Sequence, residues 1–574
     1  MNATELLAQF ERIGDAPDVV PRLRRFILDL AVRGKLVPQD PKDEPATQMV
    51  KRIAAEKARL ARAGDLRSER PLPILSKADL SFSLPHGWAW VRLGELSKLV
   101  TSGSRDWAQH YSSEGAIFVR MGNLSKDHYH LRLDHIQRVN PPNDGEGTRT
   151  RLEAGDILVS ITGDVGMLGL IPDGFGEAYI NQHTAMVRPM PQMKGRYLAE
   201  LFRSPFAQDQ FNKPQRGIKN SFRLTDVTQF VVPLPPLAEQ HRIVAMVDEL
   251  MTLCDGLEAA RAERETRRDR LTAASLSRLN TPDPDSFQDD ARFALGVIPA
   301  ITARVDQVKQ LRQTILNLAV RGKLVPQDPK EGTATDLLAL LKKARGKWEE
   351  EGRIRKEKAT IPALTLEENY SAVPQSWAWA RIVELGQPQT GTSPSSGNRD
   401  LFGSHIPFVK PADLDGIEIN YNGPGLSRLG VEHSRFIPEN SVMMVCIGAT
   451  LGKTNRNTRP VCCNQQINSL TPFVNGLAEY LVIALKSCDF QALAWSKAGT
   501  GTLPIISKGK WELLPVPIPP LAEQHRIVVK VGELMTMCDR LEASLAAGDE
   551  RRRGLLNALL NEALRPAQER DEAA

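Results

Sequence analysis

The segment at residues 448–454 is the first candidate for chemistry in this sequence. It reads Gly-Ala-Thr-Leu-Gly-Lys-Thr and contains the residue types of a phosphate-binding loop, in which backbone N–H groups and a lysine hold phosphate oxygens. That loop requires four residues between its glycines, and this segment has three. The corresponding stretch at 163–166 has no lysine, and no Walker-B-like or helicase motif follows. We therefore predict a tight turn at the exit of a strand.

A second motif, Asn140–Asn143, has the sequence Asn-Pro-Pro-Asn. Adenine methyltransferases carry an Asn/Asp-Pro-Pro-aromatic motif whose ring stacks on an extruded base. Here Asn143 replaces the ring, and no FxGxG-like cofactor loop precedes it. An ordinary loop turn is the better interpretation.

Metal and redox chemistry is not indicated either. No cysteine and histidine residues have the spacing of metal ligands, and the repeated Ala-Glu-Gln-His sequence before His241 and His525 is typical of helix capping and interface contacts. We expect no catalysis, metal or cofactor in this chain. The cysteines form no CxxC pair and no disulfide framework: Cys254, Cys446, Cys462, Cys463, Cys488 and Cys538.

Side chains that could contact nucleic acid are concentrated in two interiors, at about 90–230 and 380–515. Arg and Lys bind phosphates, whereas Arg, Lys, Asn and Gln can also read base edges. Any one of them could equally be a solvated surface residue, so the clusters are stronger candidates than their members. The first interior contributes Ser104, Arg105, Arg120, Asn123, Thr162, Asp164, Asn181, Gln182, Arg216, Lys219, Asn220 and Arg223. The second contributes Ser395, Ser396, Arg399, Lys410, Thr450, Lys453, Asn464, Gln465, Gln466, Lys497, Thr500, Thr502 and Lys508.

An internal repeat organises the whole chain. The sequence LAVRGKLVPQDPK occurs at Leu30–Lys42 and, without a change, at Leu318–Lys330. PPLAEQHRIV occurs at Pro235–Val244 and again at Pro519–Val528. The segments around the interiors are nearly identical, whereas the interiors share only scattered positions. This contrast favours constant segments with one shared task and variable segments that have each specialised, over a uniformly drifting tandem duplication.

The constant segments predict long helices. The apolar residues Ile243, Val247, Leu250, Cys254 and Leu257 are spaced by four and three, which is the seam of a coiled coil. The second copy repeats this spacing, and the other constant segment has it as well. The Pro- and Asp-rich stretch 280–300 should turn the chain and form a central antiparallel hairpin. The terminal copies could form an equivalent hairpin only by pairing the two chain ends.

The interiors have short β-rich runs between Gly, Asn and Ser loops, which predicts an α/β domain in each. The predicted fold class is thus α/β (α+β), with two such domains separated by long antiparallel coiled-coil helices and a pseudo-two-fold internal repeat. Trp88, Trp90, Trp377 and Trp379 open the domains and should anchor their cores. The predicted segments are 1–60 (helical), 84–235 (first domain), 236–345 (helical hairpin), 373–518 (second domain) and 519–566 (helix).

Composition sets only broad limits. The net charge of +5 is compatible with nucleic acid but is weak support for it. The first residues do not resemble a signal peptide, and no stretch approaches 18 uncharged apolar residues, so we expect a cytoplasmic protein without a membrane span.

These motifs resemble the specificity subunits of type I restriction-modification systems. The resemblance rests on AVRGKLVPQDP, on PPLAEQHRIV, on the Gly/Ser-Trp-Ala-Trp opening of each interior, and on the order constant–variable–constant–variable–constant. It implies two target-recognition domains that each read half of an asymmetric bipartite target in double-stranded DNA. It also implies helices that dock two modification (adenine-N6 methyltransferase) subunits and two restriction (translocase and nuclease) subunits.

The same resemblance assigns the cofactors to the partners. S-adenosylmethionine would belong to the modification subunit, and ATP and Mg to the restriction subunit. A coiled-coil scaffold without DNA specificity is the alternative, although it leaves the divergent interiors unexplained. The target bases, the spacer length, the contacting residues and the presence of a restriction subunit stay open.

Overall fold

The chain divides into two compact units. Unit 1 is Met1–Arg264 with Asp549–Ala574, and unit 2 is Glu265–Gly548. The computed structural model describes residues 14, 16, 18–66, 71–103, 106–141, 145–213, 222–280, 289, 293, 302–355, 361–365, 368–416, 418–499 and 503–564.

Helices form the constant segments and also cover the sheets. In unit 1 they are α1 (Val19–Val32), α2 (Ala46–Ala63), α3 (Leu93–Leu96), α4 (Gly145–Thr150), α5 (Tyr197–Arg203), α6 (Pro205–Asn212), α7 (Leu224–Thr228) and the first part of α8 (Leu237–Asn280). Unit 2 contains the rest of α8, then α9 (Val305–Val320), α10 (Ala334–Glu350), α11 (Ile382–Leu385), α12 (Arg428–Glu432), α13 (Ala478–Lys486), α14 (Cys488–Lys497), α15 (Lys508–Trp511) and most of α16 (Leu521–Leu564), which ends in unit 1.

The strands of each unit lie in one interior. Unit 1 has β1 (Ala89–Arg92), β2 (Ser97–Ser102), β3 (Tyr111–Ser112), β4 (Ala116–Val119), β5 (Gln137–Val139), β6 (Ile157–Ser160), β7 (Leu168–Leu170), β8 (Ala178–Ile180), β9 (Thr184–Pro189) and β10 (Val231–Leu234). Unit 2 has β11 (Ala378–Arg381), β12 (Gly386–Thr390), β13 (Phe402–Gly403), β14 (Phe408–Val409), β15 (Gly425–Leu426), β16 (Val442–Val445), β17 (Thr454–Arg456), β18 (Cys462–Cys463), β19 (Ile467–Pro472) and β20 (Pro515–Ile518).

The two interiors have the same sheet plan. Unit 1 contains an antiparallel sheet in the order β2-β9-β6-β7, and unit 2 contains β12-β19-β16-β17. In both units the first and last strands of the interior pair with each other, β1 with β10 and β11 with β20. A parallel pair lies beside the main sheet, β4 with β8 and β14 with β18. The predicted mixed α/β domains and their internal repeat are confirmed.

The heptad seams form the cores of the constant segments. Ile243, Val247 and Cys254 on α8 are buried, as are the equivalent Ile527, Val531 and Cys538 on α16. Every third or fourth residue points to the same side of a helix, so this spacing gives one continuous apolar stripe. Leu250 and Leu534, which belong to the same seams, are only partly buried.

Long antiparallel helix packing is present within each unit. In unit 1, Arg24 on α1 pairs with Asp255 at 2.6 Å and with Glu258 at 2.8 Å on α8. In unit 2, Arg312 on α9 pairs with Asp539 at 2.7 Å and with Glu542 at 3.0 Å on α16. Each constant helix thus lies against the helix that follows its own interior domain.

The central segment differs from the predicted antiparallel hairpin. The end of α8 runs parallel to α9, because Glu265 lies 2.9 Å from Arg304, whereas Leu276 and Leu279 lie farther along α8 and pack against Leu318. The length of the connection permits this direction. The residues between Asn280 and Thr302 can span up to ~70 Å, at ~3.3 Å per residue, which is more than the ~24 Å length of the 16-residue α9. A chain of that length can return to the start of α9 and need not reverse its direction.

The two ends of the chain meet in unit 1, as the repeat predicted, but they too run in parallel. Arg22 on α1 donates a hydrogen bond to Asn557, and the Lys35 ammonium donates to the carbonyl of Leu564 at 2.7 Å. Leu556 and Leu560 of α16 belong to the same apolar core as α1. The last turns of the chain therefore complete the core of the first unit.

This arrangement predicts a specific effect of a charge near the C-terminus. Leu556 has no exposed surface, so Leu556→Asp places a carboxylate in an apolar core and should lower the unfolding free energy of unit 1 by about 3–5 kcal/mol. Ala558→Asp adds the same charge to an exposed position of the same helix and is the matched control. Urea unfolding with limited proteolysis should show early cleavage in residues 18–264 for the first variant only. Equal resistance of both variants would contradict this packing.

Candidate nucleic-acid interface

A buried carboxylate attaches the first interior to its helices. Glu239, in the first turn of α8, is 1% exposed, and its carboxylate accepts hydrogen bonds from the Trp88 indole N–H at 3.0 Å and from the Gln39 amide at 3.0 Å. Trp88 belongs to the opening of the domain, and Gln39 to the repeated LVPQDP sequence. Three constant motifs that are far apart in the sequence therefore meet at one carboxylate.

Unit 2 repeats the same contact. Glu523 accepts from the Trp377 indole N–H at 3.0 Å and from the Gln327 amide at 2.6 Å. Burial raises the pKa of both Glu239 and Glu523 above the ordinary value, and the two hydrogen bonds at each carboxylate oppose that shift. Trp88 and Trp377 are buried, so the predicted core role of these two tryptophans is confirmed.

The candidate contact residues lie where strands end. Strands β4 and β8 are parallel, with Val119 opposite Ile180, so the next residues, Arg120 and Asn181, emerge at the same edge. In unit 2, Val409 lies opposite Cys463, and the next residues are Lys410 and Asn464. This edge of each domain therefore presents one cation beside one amide turn.

The amide turns have the same hydrogen bonds in both domains. In the first, the Asn181 side-chain oxygen accepts from the backbone N–H of His183 at 3.2 Å, and the carbonyl of His183 accepts from the N–H of Ile161 at 2.9 Å. In the second, Asn464 and Gln466 repeat the first bond at 3.2 Å, and Gln466 and Cys446 repeat the second at 2.7 Å. The turn is thus held by backbone bonds that do not depend on the side chain of its third residue.

A glycine allows a neighbouring segment to approach each turn. A Cβ atom at Gly103 would lie 2.2 Å from the carbonyl oxygen of Ile180, and one at Gly391 would lie 2.1 Å from that of Asn464. No side chain fits at either position, so the segment after β2 or β12 lies directly against the turn. The candidates Ser104 and Arg105, which follow Gly103, are outside the described residues.

In the first domain the strand ends line a concave surface that encloses a volume of about 550 Å³. It is lined by the predicted Arg120, Asn123 and Asn181, and also by Arg132, Asp134, His135 and His183, which the sequence did not single out. No motif marks Arg132 and His135, because their position depends on a loop closed by Asn123. The signal for His183 was available, since it follows the predicted Asn181-Gln182 pair directly.

Asn123, one of the predicted contact residues, has a structural role in the free chain. It is 6% exposed, and its amide group donates to the carbonyls of Arg132 at 2.8 Å and His135 at 3.3 Å. Its oxygen accepts from the backbone N–H of Arg120 at 2.9 Å. Both ends of the side chain are therefore used to fold the loop beside Arg120. Asn181 is likewise buried, and its oxygen holds the turn.

The other candidates of the first domain lie around the same edge. Thr162 contacts the His183 ring at 2.7 Å, and Gln182 contacts the opposite ring nitrogen at 3.0 Å. Asp164 forms an exposed ion pair with Lys126 at 3.3 Å. Arg223 follows Phe222, whose N–H donates to the carbonyl of Ile161 at 2.8 Å. Three further candidates are outside the described residues: Arg216, Lys219 and Asn220.

The second domain places its candidates in a similar way. Gln465 accepts a hydrogen bond from Ser393 at 2.6 Å, which joins the amide turn to the segment that carries the exposed Ser395, Ser396 and Arg399. Thr450 precedes Lys453 in the loop after β16. Lys497 lies in the last turn of α14, and Lys508 opens α15 with its ammonium paired to Glu512. Thr500 and Thr502 are outside the described residues.

The glycine-rich segment is a turn, as predicted. Gly448 and Gly452 have φ angles of +100° and +95°, and the N–H of Gly452 donates back to the carbonyl of Val445 at 2.9 Å. The Lys453 ammonium pairs with Asp415 at 2.7 Å. Across the part of the chain that the structure describes, no group of three or more His, Cys, Asp or Glu side chains could hold a metal ion, and no helix is long and apolar enough to cross a membrane.

Comparison with known proteins identifies the family. The model of the type I restriction modification DNA specificity domain matches residues 85–264 and 374–546, which together are more than half of the chain. The chain belongs to this family. Both matches contain one interior domain and the first part of the long helix that follows it, so the specificity domains coincide with the repeat.

Two relatives from Escherichia coli match along nearly the full length. The specificity subunit of the type I restriction enzyme EcoAI is 28% identical and covers 95% of this chain and 94% of its own. The EcoEI specificity subunit has the same identity and the same coverage. A crystal structure of the HsdS subunit from Thermoanaerobacter tengcongensis is 19% identical, with a TM-score of 0.43, over 84% of this chain and 98% of its own. The chain is thus a type I specificity subunit by family.

The buried carboxylates predict a pH-dependent effect of one substitution. Trp88→Phe keeps an aromatic ring but removes the N–H that donates to Glu239, so unit 1 should lose about 1–3 kcal/mol of unfolding free energy at about pH 8. The loss should shrink as the pH falls through the raised pKa of Glu239, because the bond chiefly stabilises the ionised carboxylate. Urea unfolding between about pH 4 and pH 8 measures this.

Trp377→Phe is the matched variant and should affect unit 2 in the same way through Glu523. A loss that is independent of pH in both variants would mean that lost ring packing, rather than the bond to the carboxylate, causes it.

Proposed function

We propose that this specificity subunit reads an asymmetric bipartite target in double-stranded DNA, one half with each specificity domain. The observation that carries the proposal is the strand-end edge, where the two domains share one backbone arrangement but present different side chains. Proteins read sequence through hydrogen bonds from such side chains to base edges, whereas the phosphates mainly position the protein. Two edges that differ in side chains suit two different half-sites.

Cations at this edge support contact with DNA. Among the residues that the structure describes, none forms a hydrogen bond or an ion pair with the Arg120 guanidinium or the Lys410 ammonium. Both residues follow a parallel strand and begin a short 3₁₀ turn, so the backbone fixes where the side chains start. Contact of the other strand-end candidates with DNA is part of the same proposal.

The constant helices would dock the partners. Leu253 on α8 and the equivalent Met537 on α16 are 48% and 62% exposed, so the same apolar position faces outward in both copies. Exposed apolar side chains repeated on two near-identical surfaces are suited to two copies of one partner. We assign these surfaces to two modification subunits, with two restriction subunits joining in the complete enzyme. S-adenosylmethionine, ATP and Mg would then be bound by the partners, and this chain would remain non-catalytic.

Exchange of one domain tests whether each specificity domain reads its own half of the target. Replacing residues 90–232 with the corresponding part of a relative should change one half of the methylated motif and leave the other half intact. Sequencing of the methylated bases in a host that carries the system measures both halves at once. The exchange of residues 380–515 is the control and should change the opposite half. An exchange that alters both halves, or neither, would refute the proposal that each domain reads one half-site.

The docking assignment has its own test. Leu253→Asp or Met537→Asp should each reduce the number of bound modification subunits from two to one, since either change places a charge in one docking surface while both positions are exposed in the free chain. Ala259→Asp is the matched control: it adds the same charge at an exposed position of α8 that faces a different direction, and it should leave the stoichiometry unchanged. Native mass spectrometry of the purified complex gives the stoichiometry. Unchanged stoichiometry in both variants would place the docking surface elsewhere.

A further inference from the structure

The two specificity domains share some strand-end residues and differ in others, and the positions that differ are candidates for base selection. Asn181-Gln182 in the first domain corresponds to Asn464-Gln465 in the second. A residue that is identical in two equivalent positions cannot by itself make the domains prefer different bases. Positions with equal backbone placement and unequal side chains can discriminate between bases, and the described strand ends contain two of them.

The third residue of the amide turn is such a position. His183 and Gln466 have their backbones held by the same pair of hydrogen bonds. The backbone N–H donates to the oxygen of the turn asparagine, and the carbonyl accepts from the N–H of the residue after β6 or β16. Because both bonds use backbone atoms of the third residue, its side chain can change without loss of the turn. Each domain thus has one position whose backbone is fixed but whose side chain can differ.

The residue after the first parallel strand is the second such position. Arg120 and Lys410 both follow the strand, and the backbone N–H of each donates to the side chain three residues later, Asn123 at 2.9 Å and Asp413 at 2.8 Å. In the first domain, Arg120 and His183 line the same concave surface. The two variable positions therefore lie close enough to contact adjacent groups on one stretch of DNA.

The side chains differ in their hydrogen-bonding pattern. Arg120 offers a fork of donors, and the His183 ring can add an N–H, which together suit the two acceptors of guanine, O6 and N7. Gln466 carries a donor and an acceptor on one amide, which suits N7 and the amino group of adenine. Its oxygen accepts from Asn464 at 2.8 Å and has a second lone pair, and no described residue accepts from its NH₂ group.

We propose that His183, with Arg120, selects a guanine in the half-site of the first domain, and that Gln466 selects an adenine in the half-site of the second. This inference rests on the proposed function. The His183 ring is held in place by Thr162 and Gln182, which are polar and lie at the same edge. Both ring nitrogens are thus engaged in the free chain, so the proposal requires that a base replaces the contact with Thr162 or Gln182.

Reciprocal substitution tests the proposal. The full chain, co-expressed with its modification subunit, would carry His183→Gln or Gln466→His, and the methylated motif would be sequenced for each. His183→Gln should lower methylation of the original motif about 5- to 150-fold, equivalent to ~1–3 kcal/mol, at one G·C pair of one half-site only. Gln466→His should do so at one A·T pair of the other half-site, distinct from the methylated adenine itself.

Controls separate the possible failures. Lys194→Gln changes an exposed residue at the opposite end of β9 and should leave the motif unchanged. If the unmodified chain yields no two-part motif, the proposed function fails, whereas a two-part motif that neither reciprocal variant alters overturns only this inference. Uniformly weaker methylation of all targets would also overturn it, because that result indicates phosphate contacts.

A second pair of variants keeps the test decisive if His183→Gln or Gln466→His misfolds. Arg120→Lys and Lys410→Arg exchange the cations at the other variable position while both backbone bonds remain. If His183→Gln lowers the melting temperature and abolishes methylation altogether, Arg120→Lys decides. A changed G·C preference in the same half-site supports the assignment, and an unchanged motif refutes it.

Discussion

In each unit, hydrogen bonds to one buried carboxylate join the long helix, the opening of the interior domain and the preceding constant segment. Glu239 and Glu523 stand where a long helix begins, and each binds the indole of the domain opening and the amide of the preceding constant segment. A buried carboxylate without such donors would cost several kcal/mol, so the three segments stabilise the fold only together. This explains in physical terms why the motifs PPLAEQHRIV, LVPQDP and Trp-Ala-Trp repeat as a set.

On this support the specificity domains can vary at little cost to folding. Glycines at Gly103 and Gly391 leave no space for a side chain, and backbone bonds hold the amide turns, so the strand-end framework is independent of the side chains that it presents. Substitutions at exposed positions of such a framework usually change stability by a few tenths of a kcal/mol. A domain built in this way can acquire a new target while its attachment to the helices stays the same.

The sequence predicted the parts of the fold that depend on local pattern. The seams around Val247 and Val531, the strands of both interiors and the turn at Gly448 follow from residue spacing alone. The parallel packing of α8 against α9 did not follow, because a long linker permits either direction and only side-chain fit decides between them. At the edge, the pattern identified Arg120 and Lys410 but could not place Arg132 or His135, since these depend on the amide of Asn123 across a loop. Burial also gave Asn123 a structural role that its residue type could not reveal.

The last turns of α16 have a consequence for the order in which the chain folds. Leu556 and Leu560 belong to the core around α1, and Lys35 binds the carbonyl at the end of α16. A ribosome makes α1 more than 500 residues before these turns, so the part of α1 that packs against Leu556 and Leu560 stays uncovered until unit 2 has been made. Unit 1 is therefore completed after unit 2 (Glu265–Gly548), and a chain truncated before Leu556 would leave unit 1 exposed to proteases while unit 2 is already complete.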